Sequence, residues 1–349
     1  MLENKSNRTE LSELGEFGLI RHLSEQITLK NKSSLKGIGD DAAVIKYDNK
    51  FATVVTTDLL IEGIHFDLIY VPLKHLGYKA VMVNLSDIYA MNAKPQQILV
   101  SIGISNRFSL EAVEEIYDGM RMACERHGVD IVGGDTSTSK MGLILSITAL
   151  GCVDPTEIVG RDGAGVHDLI CVSGDLGSAY AGLQILERER KIFLENPSVQ
   201  PDVSGKDYLL ERQLKPEARK DIIELFKTLG IKPTSMIDVS DGLSSELLHI
   251  CTQSNVGCRI YEEKIPLDMM TEAVAQEFGM NPLIYALNGG EDYELLFTLK
   301  MEEYPKVKDN EDIIIIGHIT DKKDGCKLEL NGGQLSDISA QGWDSFKNS

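Results

Sequence analysis

No window of the 349-residue sequence approaches the roughly 18 consecutive apolar residues of a membrane-spanning helix, so no such segment is expected. Cationic side chains are scarce: 35 Lys and Arg stand against 54 Asp and Glu, a formal net charge of −19. That balance argues against nucleic acid or an anionic membrane as partner, because such surfaces are bound largely by Lys and Arg neutralising phosphates. The six cysteines show no C-x-x-C spacing, and several stand in apolar runs, so they read as reduced core thiols rather than as a metal or disulfide set. The first residues, MLENKSNRTELSELGEFGLI, lack a basic segment followed by a long apolar one, and a cytoplasmic protein is expected. No low-complexity tract interrupts the chain. There is no G-x-x-x-x-G-K-[ST] loop, no H-R-D with D-F-G, and no G-x-G-x-x-G between strand and helix, which excludes the P-loop and protein-kinase designs.

What is present begins with length. The chain is comfortable for two domains, and the pattern resets near residue 155, giving an expected division into 1–154 and 155–349. Apolar spacing predicts helices over 14–29, 72–91 and 110–127, and strands over 42–47, 51–57, 129–132 and 143–150. In the second half a strand over 168–172, a helix over 178–188, a polar stretch over 195–206, a helix near 217–229 and a segment over 236–243 opening a helix to about 253 continue the alternation. Strands alternating with helices in both halves predict an α/β or α+β fold.

Acidic turns carry the chemistry: Asp40-Asp41, Thr56-Thr57-Asp58 at the expected end of a strand, Asp87 on a helix, Gly134-Asp135 after a strand, and Asp238-Val239-Ser240-Asp241 before a helix. Small flanking residues let backbone N–H groups approach a phosphate, and clustered carboxylates supply the hard oxygens that Mg²⁺ prefers. Cations are also what an acidic protein needs to hold an anionic ligand. Taken singly, each Asp beside Gly or Ser is equally ordinary turn or N-cap chemistry. Asp87 differs, because a carboxylate on an apolar helical face is costly without a cation. His65 follows the Thr-Thr-Asp turn closely and reads either as structural or as a contact to a substrate phosphate. Gly289-Gly290-Glu291-Asp292 precedes an expected alternating strand and reads as a β-turn or a ligand turn, while Trp343, the single tryptophan, either finishes a core or stacks on a flat heterocycle.

In order along the chain, GIGDDAAV, TTDLLIEGIHF, GYKAVMVNLSDIYAMNAKP, GGDTS, IDVSDGLSSEL, NGGEDYELLFT and GWDSF resemble the thiamine-monophosphate kinase family, within a superfamily that includes aminoimidazole ribonucleotide synthetase, selenophosphate synthetase and a hydrogenase-maturation dehydratase. The last two kinds of relative use a cysteine near one terminus, whereas this sequence has none before Cys124 and none after Cys326.

The resemblance implies an aminoimidazole ribonucleotide synthetase-like fold: an N-terminal domain for ATP, metal and dimerisation whose strands build a dimer-spanning β-barrel, and a C-terminal α/β domain covering the cleft. It implies ATP-dependent phosphorylation of thiamine monophosphate, with several Mg²⁺ ions held by positions matching Asp41, Thr56, Thr57, Asp58, Asp87, Asp135, Asp238 and Asp241. Gly134, Arg161 and Ser240 match ATP contacts, and His65, Glu291 and Trp343 match contacts to thiamine monophosphate. Asp58, Asp87 and Asp135 are the expected catalytic ligands, and a homodimer is the expected assembly. A ring-forming synthetase of the same superfamily and a non-catalytic ATP–Mg sensor are the competing readings.

Overall fold

Alternation of buried and outward side chains along Leu145, Ile147, Ala149 and Val153 makes a strand of residues that would have no reason to be helical. In the computed structural model, which describes residues 11–48 and 50–340, that strand is central to the first of two sheets. The first half runs α1 (Leu11–Ser24), β1 (Ser34–Lys36), β2 (Ala43–Ile45), β3 (Ala52–Ile61), α2 (Leu73–Ala90), β4 (Lys94–Ile104), α3 (Leu110–His127), β5 (Asp130–Thr138) and β6 (Ile144–Val153). Its six strands are ordered β1-β2-β3-β6-β4-β5, antiparallel except for the parallel pair β4 and β5.

The second half continues with β7 (Leu169–Val172), α4 (Ser178–Glu195), α5 (Asp207–Leu214), α6 (Lys220–Leu229), β8 (Ser235–Asp238), α7 (Leu243–Ser254), β9 (Gly257–Tyr261), α8 (Met269–Glu277), α9 (Pro282–Asn288), β10 (Leu295–Leu299), α10 (Tyr304–Val307), β11 (Ile314–Thr320), β12 (Cys326–Glu329) and β13 (Leu335–Asp337). Its seven strands are ordered β13-β12-β9-β11-β7-β10-β8. The largest buried cluster extends from Leu76, Met82, Leu85 and Ile116 beneath the first sheet to Phe226, Met236 and Phe297 of the second half. Phe226 and Phe297 meet edge to face with ring centroids 4.8 Å apart.

Helix α2 is the pivot. It begins after Pro72, whose fixed φ suits a helix entry, and it is buried along most of its length rather than on one stripe. Its contact with α3 is unusually close. A methyl at Gly77 would stand 1.9 Å from the Ile116 carbonyl oxygen, and one at Gly119 would stand 1.9 Å from that of Lys74. Two glycines therefore let the helices interlock backbone to backbone, which fixes where the far end of α2 delivers Asp87. Helix α3 is capped at its start by Ser109, which accepts from the Ala112 amide at 3.3 Å, and stopped by Gly128 in the left-handed region.

Several local expectations need correction. β3 does not end at Asp58 but runs on to Ile61, because Leu59, Leu60 and Ile61 keep pairing with β6; the Thr-Thr-Asp segment is mid-strand. Likewise the Gly-Gly-Asp-Thr-Ser segment lies within β5, where Asp135 pairs with Ser101. β10 does not alternate: all of Leu295–Leu299 is buried, as befits a strand between two others and covered on both faces. The polar stretch over 195–206 leads into α5, which the apolar pattern did not announce. Trp343 lies outside the described residues.

Candidate active site

Three carboxylates from three distant parts of the chain converge where the two sheets approach. Asp41 comes from the loop before β2, Asp87 from the last turns of α2 and Asp238 from the end of β8; each offers an oxygen within 4.8 Å of the others. Asp41 and Asp238 are buried and Asp87 is half-buried. Each is held by a neighbour. Thr56 on β3 donates its hydroxyl to Asp87 at 2.5 Å, Ser86 donates to Asp238 at 2.6 Å, and the Arg161 guanidinium meets Asp41 at 2.5 Å. Asp58 is half-buried close by, and its backbone amide donates to Asn84 of α2 at 3.1 Å.

So many carboxyls in one dry place disfavour their own charge. Burial above all pushes Asp41 up to about 7, although Arg161 pulls the other way, and pushes Asp58 and Asp238 up to about 6. Asp87 stands well above the carboxylate range, first through burial and then through the charges of Asp58, Asp238 and Asp41. A divalent cation would reverse both effects. The donor set fits one: it is all carboxylate oxygen, as Mg²⁺ demands, and Asp41 Oδ2 is buried with no hydrogen-bond partner of its own.

The Asp238-Val239-Ser240-Asp241 turn is shaped by a residue that sequence reading passed over. Buried Glu246 on α7 accepts from the Asp241 amide at 2.7 Å and the Ser240 amide at 3.1 Å. Asp241 does not cap α7; Gly242 occupies that position. Asp241 is raised to about 6, mainly by burial, and Ser240 is half-exposed beside it.

The Gly-Gly-Glu-Asp turn is zipped to this one. The Glu291 amide donates to the Ser240 carbonyl at 2.7 Å and the Tyr293 amide to that of Val239 at 2.9 Å. Glu291 and Tyr293 both take positive φ, 59° and 52°, a conformation costly for side-chain-bearing residues and concentrated where structure holds a site in shape. Glu291 is clamped by buried Lys79 of α2 at 2.9 Å and by Gln213 at 2.6 Å. Lys79 lies about two turns before Asp87 on the same helix. A cation on an otherwise apolar helical face is as legible in the sequence as the acid two turns on. Asp292 serves elsewhere, accepting from the Gly177 amide at 2.7 Å at the start of α4.

His65 is at the surface beside Phe66, Tyr70 and Lys79, which line one cleft with it. Its Nδ1 accepts from the Ile61 amide at 3.0 Å, which leaves Nε2 as the outward nitrogen. The structure thus brings together Asp41, Thr56, Asp58, Asp87, Arg161 and Asp238, with Ser240, Asp241 and Glu291 on the adjoining turns. It does not bring Thr57, Gly134 or Asp135 to the cluster of one chain. Side chains alternate along β3, so Thr57 points away from Thr56 and meets Thr148 at 3.1 Å. Gly134 and Asp135 are exposed on the edge strand β5.

Residues 39–153, which include Asp41, Asp58, Asp87 and Asp135, match the family described as AIR synthase related protein, N-terminal domain. The thiamine-monophosphate kinase of Aquifex aeolicus is 36% identical over 332 residues, 92% of this chain and 98% of that one. That of Bacillus subtilis is 32% identical, covering 96% and 100%. Among solved structures, one described as AaThiL complexed with AMPPCP and TMP superposes with a TM-score of 0.81 at 33% identity, covering 97% of this chain and 99% of that one. A hydrogenase maturation protein HypE in complex with ATP, at 19% identity and a TM-score of 0.67, shares the fold. With relatives this similar along nearly their whole length, the chain belongs to the thiamine-monophosphate kinase family.

Proposed function

We infer that this chain transfers the γ-phosphoryl group of ATP to the phosphate of thiamine monophosphate, giving thiamine diphosphate and ADP. The observation that carries the reading is the convergence of Asp41, Asp87 and Asp238 with an unpartnered buried oxygen on Asp41. The acceptor is a phosphate monoester oxygen already ionised near neutral pH, so no strong general base is required. The task is to bring two anions into line, which is positioning and electrostatics rather than covalent catalysis. Transfer is direct, without a phospho-enzyme.

Asp41, Asp58, Asp87, Asp238 and Asp241, with Thr56, are proposed to hold Mg²⁺; when bound, the ions neutralise and align the phosphate oxygens. Asp58 and Asp87 are the proposed catalytic ligands best supported by position. Thr56 and Ser86 orient the carboxylates they bond, and Arg161 balances Asp41; Arg161 and Ser240 are assigned to ATP on the family resemblance. Lys79 and Gln213 hold Glu291, which with His65 is assigned to thiamine monophosphate. Thr57, Gly134 and Asp135 are open to solvent, and their assignment to metal and ATP has the family resemblance as its only support; Trp343 is assigned to the substrate on the same ground.

The proposed assembly is a cytoplasmic homodimer in which the N-terminal domain, to residue 154, forms a barrel with its copy and the C-terminal domain, from 155, covers the cleft. An uncovered sheet face supports it: Leu59 on β3 and Leu99 on β4 point away from α2 and are exposed, and Val132 on β5 is more than half exposed. The deciding assay is incubation with Mg-ATP and thiamine monophosphate, with separation of the products. Thiamine diphosphate and stoichiometric ADP are expected; ATP binding without diphosphate would overturn the assignment.

A further inference from the structure

Far from the aspartates in sequence role, three of the six cysteines come together. Cys251 lies near the end of α7, Cys258 on β9 and Cys326 at the start of β12, and their Sγ atoms all fall within 4.8 Å of one another. The sequence spacing had pointed to separate core thiols, because the meeting depends on strand register. β9 and β12 are parallel and place Cys258 directly opposite Cys326, and α7 returns into β9 through a short turn that sets Cys251 above the pair.

The backbone makes this approach tight. The Cys258 amide donates to the Gly325 carbonyl at 3.1 Å, and the Ile338 amide donates to that of Cys326 at 3.0 Å, so both strand ends are pinned. A side chain at Gly257 would collide with the Gly325 carbonyl oxygen at 2.5 Å and that of Asp321 at 2.7 Å. Access differs among the three. Cys251 and Cys258 are buried, while Cys326 is half-exposed, which gives an ion a way in.

We propose that Cys251, Cys258 and Cys326 form a three-thiolate site for a soft d¹⁰ cation, Zn²⁺ or Cu⁺, separate from the Mg²⁺-binding carboxylates. Thiolates sharing one ion at bonds of about 2.3 Å stand about 3.8–4.0 Å apart, so the trio needs only small side-chain rotations to close on it. Sulfur ligands select Zn²⁺ and Cu⁺ over Mg²⁺, and hard carboxylates do the reverse, so the two sites sort their ions by chemistry. Binding deprotonates the thiols it uses, releasing their protons to solvent, and changes no oxidation state. Three thiolates leave a trigonal Cu⁺ complete and a tetrahedral Zn²⁺ with one position open on the Cys326 side. Either ion ties the end of α7 to β9 and β12, stapling the helix that follows the Asp238–Asp241 turn.

The test uses the full chain, reduced anaerobically and kept in excess Mg²⁺ so that the carboxylates are occupied. In one arm Co²⁺ stands in for Zn²⁺. One equivalent should produce thiolate-to-cobalt charge-transfer absorption with the visible bands of tetrahedral cobalt, and Zn²⁺ should bleach both. In the other arm Cu⁺ competes with a chromophoric chelator. Cys326→Ser should lose at least tenfold in affinity in the arm that responds while retaining kinase turnover, which shows that it folds; Cys258→Ala is the second variant should the first not fold. Absence of charge-transfer absorption and of Cu⁺ uptake in the parent, or equal uptake by a turnover-competent cysteine variant, overturns the site.

Discussion

Ser86 of α2 donates a hydrogen bond of 2.6 Å to Asp238 at the end of β8, joining the helix that underlies the first sheet to the edge strand of the second. Its neighbour Asp87 completes the carboxylate cluster, so two consecutive residues serve as tie and as proposed metal ligand. This coupling makes the cluster expensive when empty, and the clearest prediction follows. Asp87→Asn removes a charge that only the proposed metal requires. Turnover should fall on the order of 10²-fold or more. Metal-free stability at pH 8 should rise, because repulsion with Asp58, Asp238 and Asp41 is relieved. Steady-state kinetics and urea unfolding check the pair; unchanged turnover would move the site elsewhere.

Asp41 at about 7 and Asp58, Asp238 and Asp241 at about 6 are raised above their unfolded values near 3.8. Between about pH 4 and 7 the native state therefore holds more protons than the unfolded one, and this contribution to stability falls as pH rises through the folded values. Without metal, thermal midpoints should drop across that window relative to Asp87→Asn. Added Mg²⁺ should raise the midpoint strongly at pH 8 and little at pH 5. Equal Mg²⁺ stabilisation at both values would contradict this.

Lys79, Gln213 and Glu291 form a half-dry clamp. Lys79→Met should cost about 1–3 kcal/mol of stability by leaving Glu291 short of a partner. It should raise KM for thiamine monophosphate more than it lowers kcat, leaving KM for ATP nearly unchanged. A double-mutant cycle with Glu291→Gln should show coupling of about 1 kcal/mol or more. Additive effects would mean the pair is incidental.

Gly77→Ala and Gly119→Ala each place a methyl 1.9 Å from a carbonyl oxygen of the opposite helix. Each should destabilise by roughly 1–3 kcal/mol or more despite the better helix propensity of alanine. The double variant should be less than additive, since separating α2 from α3 once relieves both clashes. Chemical denaturation reads the three values, and full additivity would show that the clashes are independent.

Leu59 and Leu99 belong to the uncovered sheet face. Leu99→Glu should convert a dimer to a monomer in sedimentation velocity, because a charge at the centre of an apolar interface is left without a partner. A parent chain that is monomeric at micromolar concentration would exclude the proposed barrel.

Much of the candidate site was legible because its chemistry is local: acids beside Gly, Ser and Thr, and an acid on a helix that is otherwise apolar, stand out whatever surrounds them. What was not legible depends on register and on long-range pairing. Asp58 read as a strand end, since nothing in Leu59–Ile61 announces how far β6 will accompany it. Glu246 reads as an ordinary helical glutamate until the turn it braces is folded over it. The cysteine trio is invisible for the same reason, because only the pairing of β9 with β12 makes Cys258 and Cys326 neighbours.

Strand β3 sets Thr56 toward Asp87 and Thr57 toward Thr148, on opposite sides of one ribbon. Inserting a single residue just before Thr56, with the start of the strand held in register, would turn Thr56 and Asp58 together to the opposite side of the ribbon, away from Asp87. Insertions ahead of Thr56 within the strand should therefore abolish turnover, whereas insertions ahead of the strand should spare it, a boundary that a scan of insertions would draw to the residue.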